Sequence, residues 1–177
     1  MTTEATTPAL HLARWTVTSG SQVQSRGAVV IASGDHQWEA SAEGNGAVDA
    51  LFRAVDRALA QVLAGHPRLI AYDVHAVAEG PDSEGVVTVR IAPPVEAGGE
   101  RATGEYVGEA RSTNIIAASI EAYVEALNAM LGVESWAGAA AEAGSRRGAS
   151  RSGDRSATST EYDADADHFD TTEWFNR

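Results

Sequence analysis

The chain has 177 residues, with 13 Lys and Arg against 25 Asp and Glu for a formal net charge of −12 at pH 7, and no cysteine. That balance speaks against a nucleic-acid partner, whose phosphates require clustered cations, and it leaves no disulfide or thiol nucleophile to consider. Residues 1–11 are polar and Thr-rich rather than a signal peptide, and no apolar run nears the ~20 residues that span a bilayer, so a cytoplasmic protein with no membrane partner is expected.

Three strand-like runs come first. Leu12 to Thr18 alternates Leu12, Arg14, Thr16 and Thr18 against Ala13, Trp15 and Val17; Gly27 to Ala32 is rich in β-branched residues; His36 to Ala42 alternates around Trp38. Gly20-Ser21 and Ser33-Gly34-Asp35 supply the turns between them. Gly44-Asn45-Gly46 then opens a helix in which Val48, Leu51, Phe52, Val55, Leu59, Val62 and Leu63 recur at helical spacing. Asn45 is the expected side-chain cap, and the two glycines leave backbone amides open to approach. A helix start of this kind favours a carboxylate or phosphate, because its first amides lack partners and the dipole is positive there.

After Gly65-His66-Pro67 the order begins again. Leu69 to Ala78, Val86 to Ala92 and Arg101 to Arg111 read as strands, and Ser112-Thr113-Asn114 opens a second helix with Ile116, Ile120, Tyr123, Leu127, Met130 and Leu131 on one face. Ala47-Val48 aligns over Asn114-Ile115. Two βββα units of like pattern make an internal duplication, so the predicted fold class is α+β with two tandem units about a pseudo-two-fold axis. The predicted boundaries are a disordered N-terminus at 1–11, unit one at 12–65, unit two at 66–134 and a disordered acidic tail at 135–177.

Particular blocks carry a resemblance. Ser19-Gly20-Ser21, the run Gly44 to Leu51, Tyr72-Asp73-Val74-His75-Ala76, Gly80 with Gly85, the run Ser112 to Ser119 and Ala126-Leu127-Asn128 together resemble the C-terminal regulatory domain of α-isopropylmalate synthase, shared with citramalate synthase. The resemblance covers about residues 12 to 132. It implies an allosteric sensor that binds a branched-chain amino acid, leucine foremost, between its two units near the helix starts and a homodimer interface. Carried over residue by residue, the implied ligand contacts are Gly46, Val48 and Asp49 at the first helix start, Leu69, Tyr72 and Ala76 on the fourth strand, and Ser112, Thr113 and Asn114 at the second helix start. Two helix starts could offer amides to a ligand carboxylate, with Val48, Leu69 and Ala76 as an apolar wall.

This chain departs from the family's pattern in three places. Ala47 stands where many members have Pro, Asn114 stands where many have Asp, and Pro93 to Gly99 lengthens the hairpin before the sixth strand into an exposed loop. The Asn still caps a helix but removes a charge that could meet a ligand ammonium, which leaves the identity of the ligand open.

The family's chemistry resides on a separate N-terminal barrel of roughly 250 residues. The first strand here begins within about a dozen residues of Met1, and no His-x-His pair occurs, so the expectation is a stand-alone regulatory domain that is not an enzyme and needs no cofactor. An α-isopropylmalate synthase catalytic subunit acted on in trans is the implied partner. The alternative is a ligand-free dimerisation or scaffold module that recruits a partner through its tail.

That tail turns Gly-, Ser- and Arg-rich after Gly138, then acidic with Tyr162, Phe169, Trp174 and Phe175. It is a docking motif or a solvated tail. Asp163, Asp165 and Asp167 imitate the start of a calcium loop, but His168 and Trp174 stand where that loop needs Gly and Glu, so no metal site is expected. His75 and Asp73 share the strand face opposite Tyr72. Arg53 and Arg57 share an exposed helix face, and Trp15 and Trp38 read as core or interface residues.

Overall fold

A computed structural model describes residues 9–63, 65–94 and 104–132. The N-terminal residues 1–8, residues 95–103 with most of the Pro93 to Gly99 loop and the predicted start of the sixth strand, and the acidic tail with Asp163, Asp165 and Asp167 lie outside the described residues.

Strands β1 (His11–Gly20), β2 (Val23–Ser33) and β3 (His36–Gly44) form an antiparallel sheet with β2 central, followed by α1 (Ala47–Ala58) and a single further turn, α2 (Ala60–Leu63). Strands β4 (Arg68–Ala76), β5 (Gly85–Ala92) and β6 (Tyr106–Ser112) repeat the arrangement with β5 central, followed by α3 (Ile115–Leu131). The α+β class and the two βββα units anticipated from the pattern are the observed architecture.

The duplication extends to register. Opposed residues of an antiparallel pair share a face, so Leu12, Trp15 and Val17 face inward with Ile31, Val29 and Gly27, and Trp38, Ala40 and Ala42 complete the rows. In unit two, Leu69, Tyr72 and Val74 face inward with Ile91, Val89 and Val87, followed by Tyr106, Gly108 and Ala110. Each first strand carries the same irregularity, a bulged residue at Ala13 in β1 and at Ile70 in β4. The caps superpose as Gly46 over Asn114, one residue off the alignment read from sequence.

The bulges correct the strict alternation. An extra residue in one strand turns the chain over relative to its partner, so Leu12 joins Trp15 and Val17 rather than Arg14, and Leu69 joins Tyr72 and Val74. The first helix also departs from expectation. It breaks at Leu59, where φ is −98° and ψ 12°, yet Leu59, Val62 and Leu63 all stay buried.

Both helices lie over the third strand of their unit, and small residues make that possible. On α1 the stripe is Ala50, Ala54 and Ala58; on α3 it is Ala118, Ala122 and Ala126, all fully or nearly fully buried. A β-carbon on Gly108 would stand 1.9 Å from the Ala122 carbonyl oxygen and 2.4 Å from the Ala126 nitrogen, so α3 rests directly on β6 backbone. A β-carbon on Gly44 would stand 2.4 Å from the Ala50 nitrogen in the same way.

The symmetry fails in coverage of the two outer strands. Helix α3 has 17 residues and its far end reaches β1. There Asn128 accepts the Leu10 amide on Oδ1 at 2.8 Å and donates from Nδ2 to the Leu10 carbonyl at 2.7 Å. Helix α1 has only 12 residues, and β4 keeps Leu69 at 51%, Ile70 at 44% and Val74 at 40% exposure. Asn128→Ala should strand both backbone groups of Leu10, which is itself buried, and cost about 1–3 kcal/mol. Thermal unfolding reads the loss, and amide exchange at the start of β1 should rise with it.

Candidate functional site

The two helix starts differ in how they are closed. At α1 the cap is Gly46, in extended conformation, and no side chain caps it; the cap expected from the Asn45 side chain does not form. Instead the Asn45 backbone amide donates to Asp49 Oδ2 at 2.9 Å, and Arg53 Nε donates to Asp49 Oδ1 at 3.0 Å. The helix begins one residue later than expected, which sets Asp49 three residues beyond the cap, where an acidic side chain reaches back to orphan amides. The Asn45 amide holds the Asp49 carboxyl below the ordinary carboxylate range, partial burial opposes it, and Arg53 assists.

At α3 the expectation holds. Asn114 Oδ1 accepts from the Ile116 and Ala117 amides at 3.1 and 3.3 Å, and the Asn114 amide donates to Ser112 Oγ at 3.0 Å. Both Asp49 and Asn114 therefore already hold helix ends together.

Tyr72 joins the units. Its ring meets Phe52 of α1 edge-on with centroids 6.1 Å apart, and its hydroxyl lies 2.7 Å from Ser119 Oγ on α3. Ser119 donates to the Ile115 carbonyl at 2.6 Å, so the proton between the two hydroxyls comes from Tyr72. Phe52 also stacks on Tyr123 of α3 with centroids 4.5 Å apart, a geometry worth about 0.5–1.5 kcal/mol beyond its buried area. The first two turns of α1, the first turns of α3 and the middle of β4 thus converge on one aromatic cluster.

The candidate residues fall around this cluster unevenly. Val48 and Asp49 stand one turn before Phe52, half-buried. Gly46 is half-buried at the α1 cap, and a β-carbon there would meet nothing within 4 Å. Ala76 pairs with Gly85, which in turn pairs with Ser112, so Ala76, Ser112, Thr113 and Asn114 gather where sheet two meets α3. Leu69 pairs with Ile91 near the other end of β4. At ~3.3 Å per residue it is roughly 20 Å from Ala76, too far for one amino acid to touch both within a chain.

Sequence pattern placed Phe52 and Tyr123 only on apolar helix faces, and it did not single out Asp56. Tyr123 Oη donates to Asp56 Oδ1 at 2.5 Å, and His66 Nδ1 stands 3.8 Å from Asp56 Oδ2. Burial pushes the Asp56 carboxyl up to about 6, against the Tyr123 hydrogen bond and His66, which pull it down. Burial and the Asp56 charge raise the Tyr123 hydroxyl as well. A fully buried serine inside an apolar helix, Ser119, was the one available signal that a polar partner comes from elsewhere in the fold.

Among the described residues no group of three or more His, Asp or Glu is placed to hold a metal, and no helix is long and apolar enough to cross a membrane.

A family model described as the LeuA allosteric (dimerisation) domain matches residues 1–131. The 2-isopropylmalate synthase of Salinibacter ruber is 36% identical over 129 residues, which are 72% of this chain and 21% of that enzyme. The 2-isopropylmalate synthase of Nitrosomonas eutropha is 38% identical over 101 residues, 56% of this chain and 17% of the relative. That of Aromatoleum aromaticum is 39% identical over 88 residues, 50% of this chain and 15% of the relative. The chain matches about a fifth or less of the length of these curated relatives.

Proposed function

The chain belongs to the LeuA allosteric (dimerisation) domain family, and from that premise we propose that it is an amino-acid sensor that pairs with a second copy of itself and regulates a 2-isopropylmalate synthase. The ligand in this reading is a branched-chain amino acid, leucine first, held where β4 passes the starts of both helices. The observation that carries the reading is Tyr72, whose ring and hydroxyl touch α1 and α3 at once. A ligand seated beside it meets both units, and can shift their packing by its difference in affinity between two arrangements.

Val48, Tyr72 and Ala76 supply apolar surface, Gly46 leaves room at an uncapped helix start, and the half-exposed Asp49 carboxylate can answer an ammonium group. Ser112, Thr113 and Asn114 contribute the second helix start. Leu69, beyond reach of the same ligand, belongs with Ile70 and Val74 to the surface that meets the second copy. Apart from Tyr72, which reaches both helices, the inner face of β4 is apolar and stays exposed at Leu69 and Val74, as a pairing surface would require.

A second reading also has an observation behind it. Asp49 and Asn114 are engaged in closing their own helices, as they would be in a dimerisation module that binds no ligand. Calorimetric titration separates the two. Leucine should bind with a stoichiometry of one per chain or one per dimer and raise the unfolding temperature, as any ligand specific for the folded state must. Asp49→Asn should weaken it about tenfold or more if the ammonium contact exists. A flat titration with leucine, isoleucine and valine, together with an intact dimer, would leave the module reading.

A further inference from the structure

Among the described residues, the Asp56 carboxyl is set between the two units and mostly shielded from water, its side chain only 17% exposed. Its surroundings are sparse in charge. From α3 it meets Tyr123, which donates at 2.5 Å, while Glu121 and Glu125 of the same helix are on its exposed side. From the segment after α2 it meets His66 at 3.8 Å, a residue 78% exposed, and Arg68 at the start of β4 is exposed. On its own helix the flanking cations are committed elsewhere, Arg53 to Asp49 and Arg57 Nη1 to the Ser41 carbonyl at 3.1 Å. Around these groups the seam is apolar, with Phe52 stacked on Tyr123 and Leu59 fully buried.

We propose that Asp56 and Tyr123 form a proton-operated latch between the two βββα units, closed while the Asp56 carboxyl is neutral and strained when it ionises. The latch goes beyond the sensing reading and stands whichever ligand the domain takes, because it rests on the contact between α1 and α3 alone. A neutral carboxyl accepts the Tyr123 hydrogen bond and suits the apolar seam. An ionised one gains a stronger, charge-assisted bond to Tyr123 but must lose its hydration. The geometry favours the second effect: one hydroxyl and a largely exposed imidazole 3.8 Å away are the groups that answer a charge in a seam otherwise walled by the Phe52 and Tyr123 rings and Leu59, and the upward shift of the carboxyl agrees with it.

The sign follows from linkage. The carboxyl binds its proton more tightly in the folded chain, at about 6, than at the ordinary 3.8. Its contribution to stability is therefore complete below about pH 3.8 and is lost as pH rises through about 6. In a cell, small pH changes near that value would loosen the seam on which any allosteric shift depends.

Thermal unfolding of the full chain from pH 4.5 to 8 tests this against Asp56→Asn. The variant's advantage over the wild type should be smallest at pH 4.5 and should grow by several degrees by pH 8. Amides along the facing sides of α1 and α3 should lose protection in the wild type as pH rises, beyond the intrinsic acceleration, and the loss should be absent in Asp56→Asn. His66→Ala and Tyr123→Phe should each move the carboxyl midpoint upward, since each removes a group that favours the ion. Carbon-13 titration of Asp56 in the wild type reads that midpoint without any variant. A midpoint below pH 4.5, or wild-type and Asp56→Asn curves that run parallel across the range, would overturn the latch.

Discussion

Gly108→Ala should unfold this domain more readily than any other single-methyl change in it. The added carbon would sit 1.9 Å from the Ala122 carbonyl oxygen and 2.4 Å from the Ala126 nitrogen, both helix backbone, so no side chain can turn aside to relieve the clash. Helix α3 must lift from β6, opening gaps around Ala118, Ala122 and Ala126, which are now fully buried. Overpacking ordinarily costs about 1–3 kcal/mol. Displacement of a whole helix belongs at the upper end or above, so roughly 3–5 kcal/mol is expected, against a total stability of about 5–15 kcal/mol for a typical domain. A fall in unfolding temperature of roughly 10–20 °C should result. Gly46→Ala is the control, because its added carbon meets nothing within 4 Å and the backbone there is extended. It should cost less than about 1 kcal/mol. Equal losses from the two variants would refute this account of helix seating.

Val74→Lys should leave the fold intact and dissociate the proposed pair of chains. Val74 lies opposite Val87 on the inner face of β4 and is 40% exposed in the single chain, so a lysine there can send its ammonium to water. In a pair of chains joined through β4 the same ammonium would be buried without a partner. Such a charge costs about 3–5 kcal/mol, or roughly a hundred- to a thousandfold and more in the dissociation constant. In a symmetric pair the cost arises twice. Sedimentation over a concentration series measures it. Asp73→Lys, on the opposite face beside Thr88, should leave association unchanged. If Asp73→Lys dissociates the chains while Val74→Lys does not, the pairing surface is the other side of the sheet.

Much of this architecture was legible in local pattern. Alternation and turn residues marked six strands, and the helical spacing of Leu51, Val55, Ile120, Tyr123 and Leu127 marked the faces now buried. Asn114 was recognisable as a cap because a capping side chain acts within three residues of itself. The Asn45 cap was misplaced for a related reason. Asn45 and Gly46 are both acceptable caps, and the seating of Gly44 against the Ala50 backbone is a contact between elements.

The site was less legible than the fold. Residue types at the two helix starts and on β4 named candidate elements, but not how far apart their residues lie. Leu69 and Ala76 look alike as small or branched apolar residues of one strand, and only the extended rise of that strand puts them near opposite ends. Tyr72 and Ser119 are 47 residues apart in sequence, and Asp56 and Tyr123 are 67 apart. No periodicity within a segment can report such a meeting.

From residue order alone came the duplication, the strand and helix sequence, and the apolar faces, since these depend on side-chain period within a dozen residues. Tertiary structure alone decided which face Leu12 and Leu69 join, why Leu69 and Val74 of β4 stay exposed while β1 is covered, and which acid is sealed between the halves. Each of those depends on a bulge that inverts a strand, on helix length measured against a neighbouring sheet, or on the loss of water around a charge. None of these is a property of a short stretch of chain.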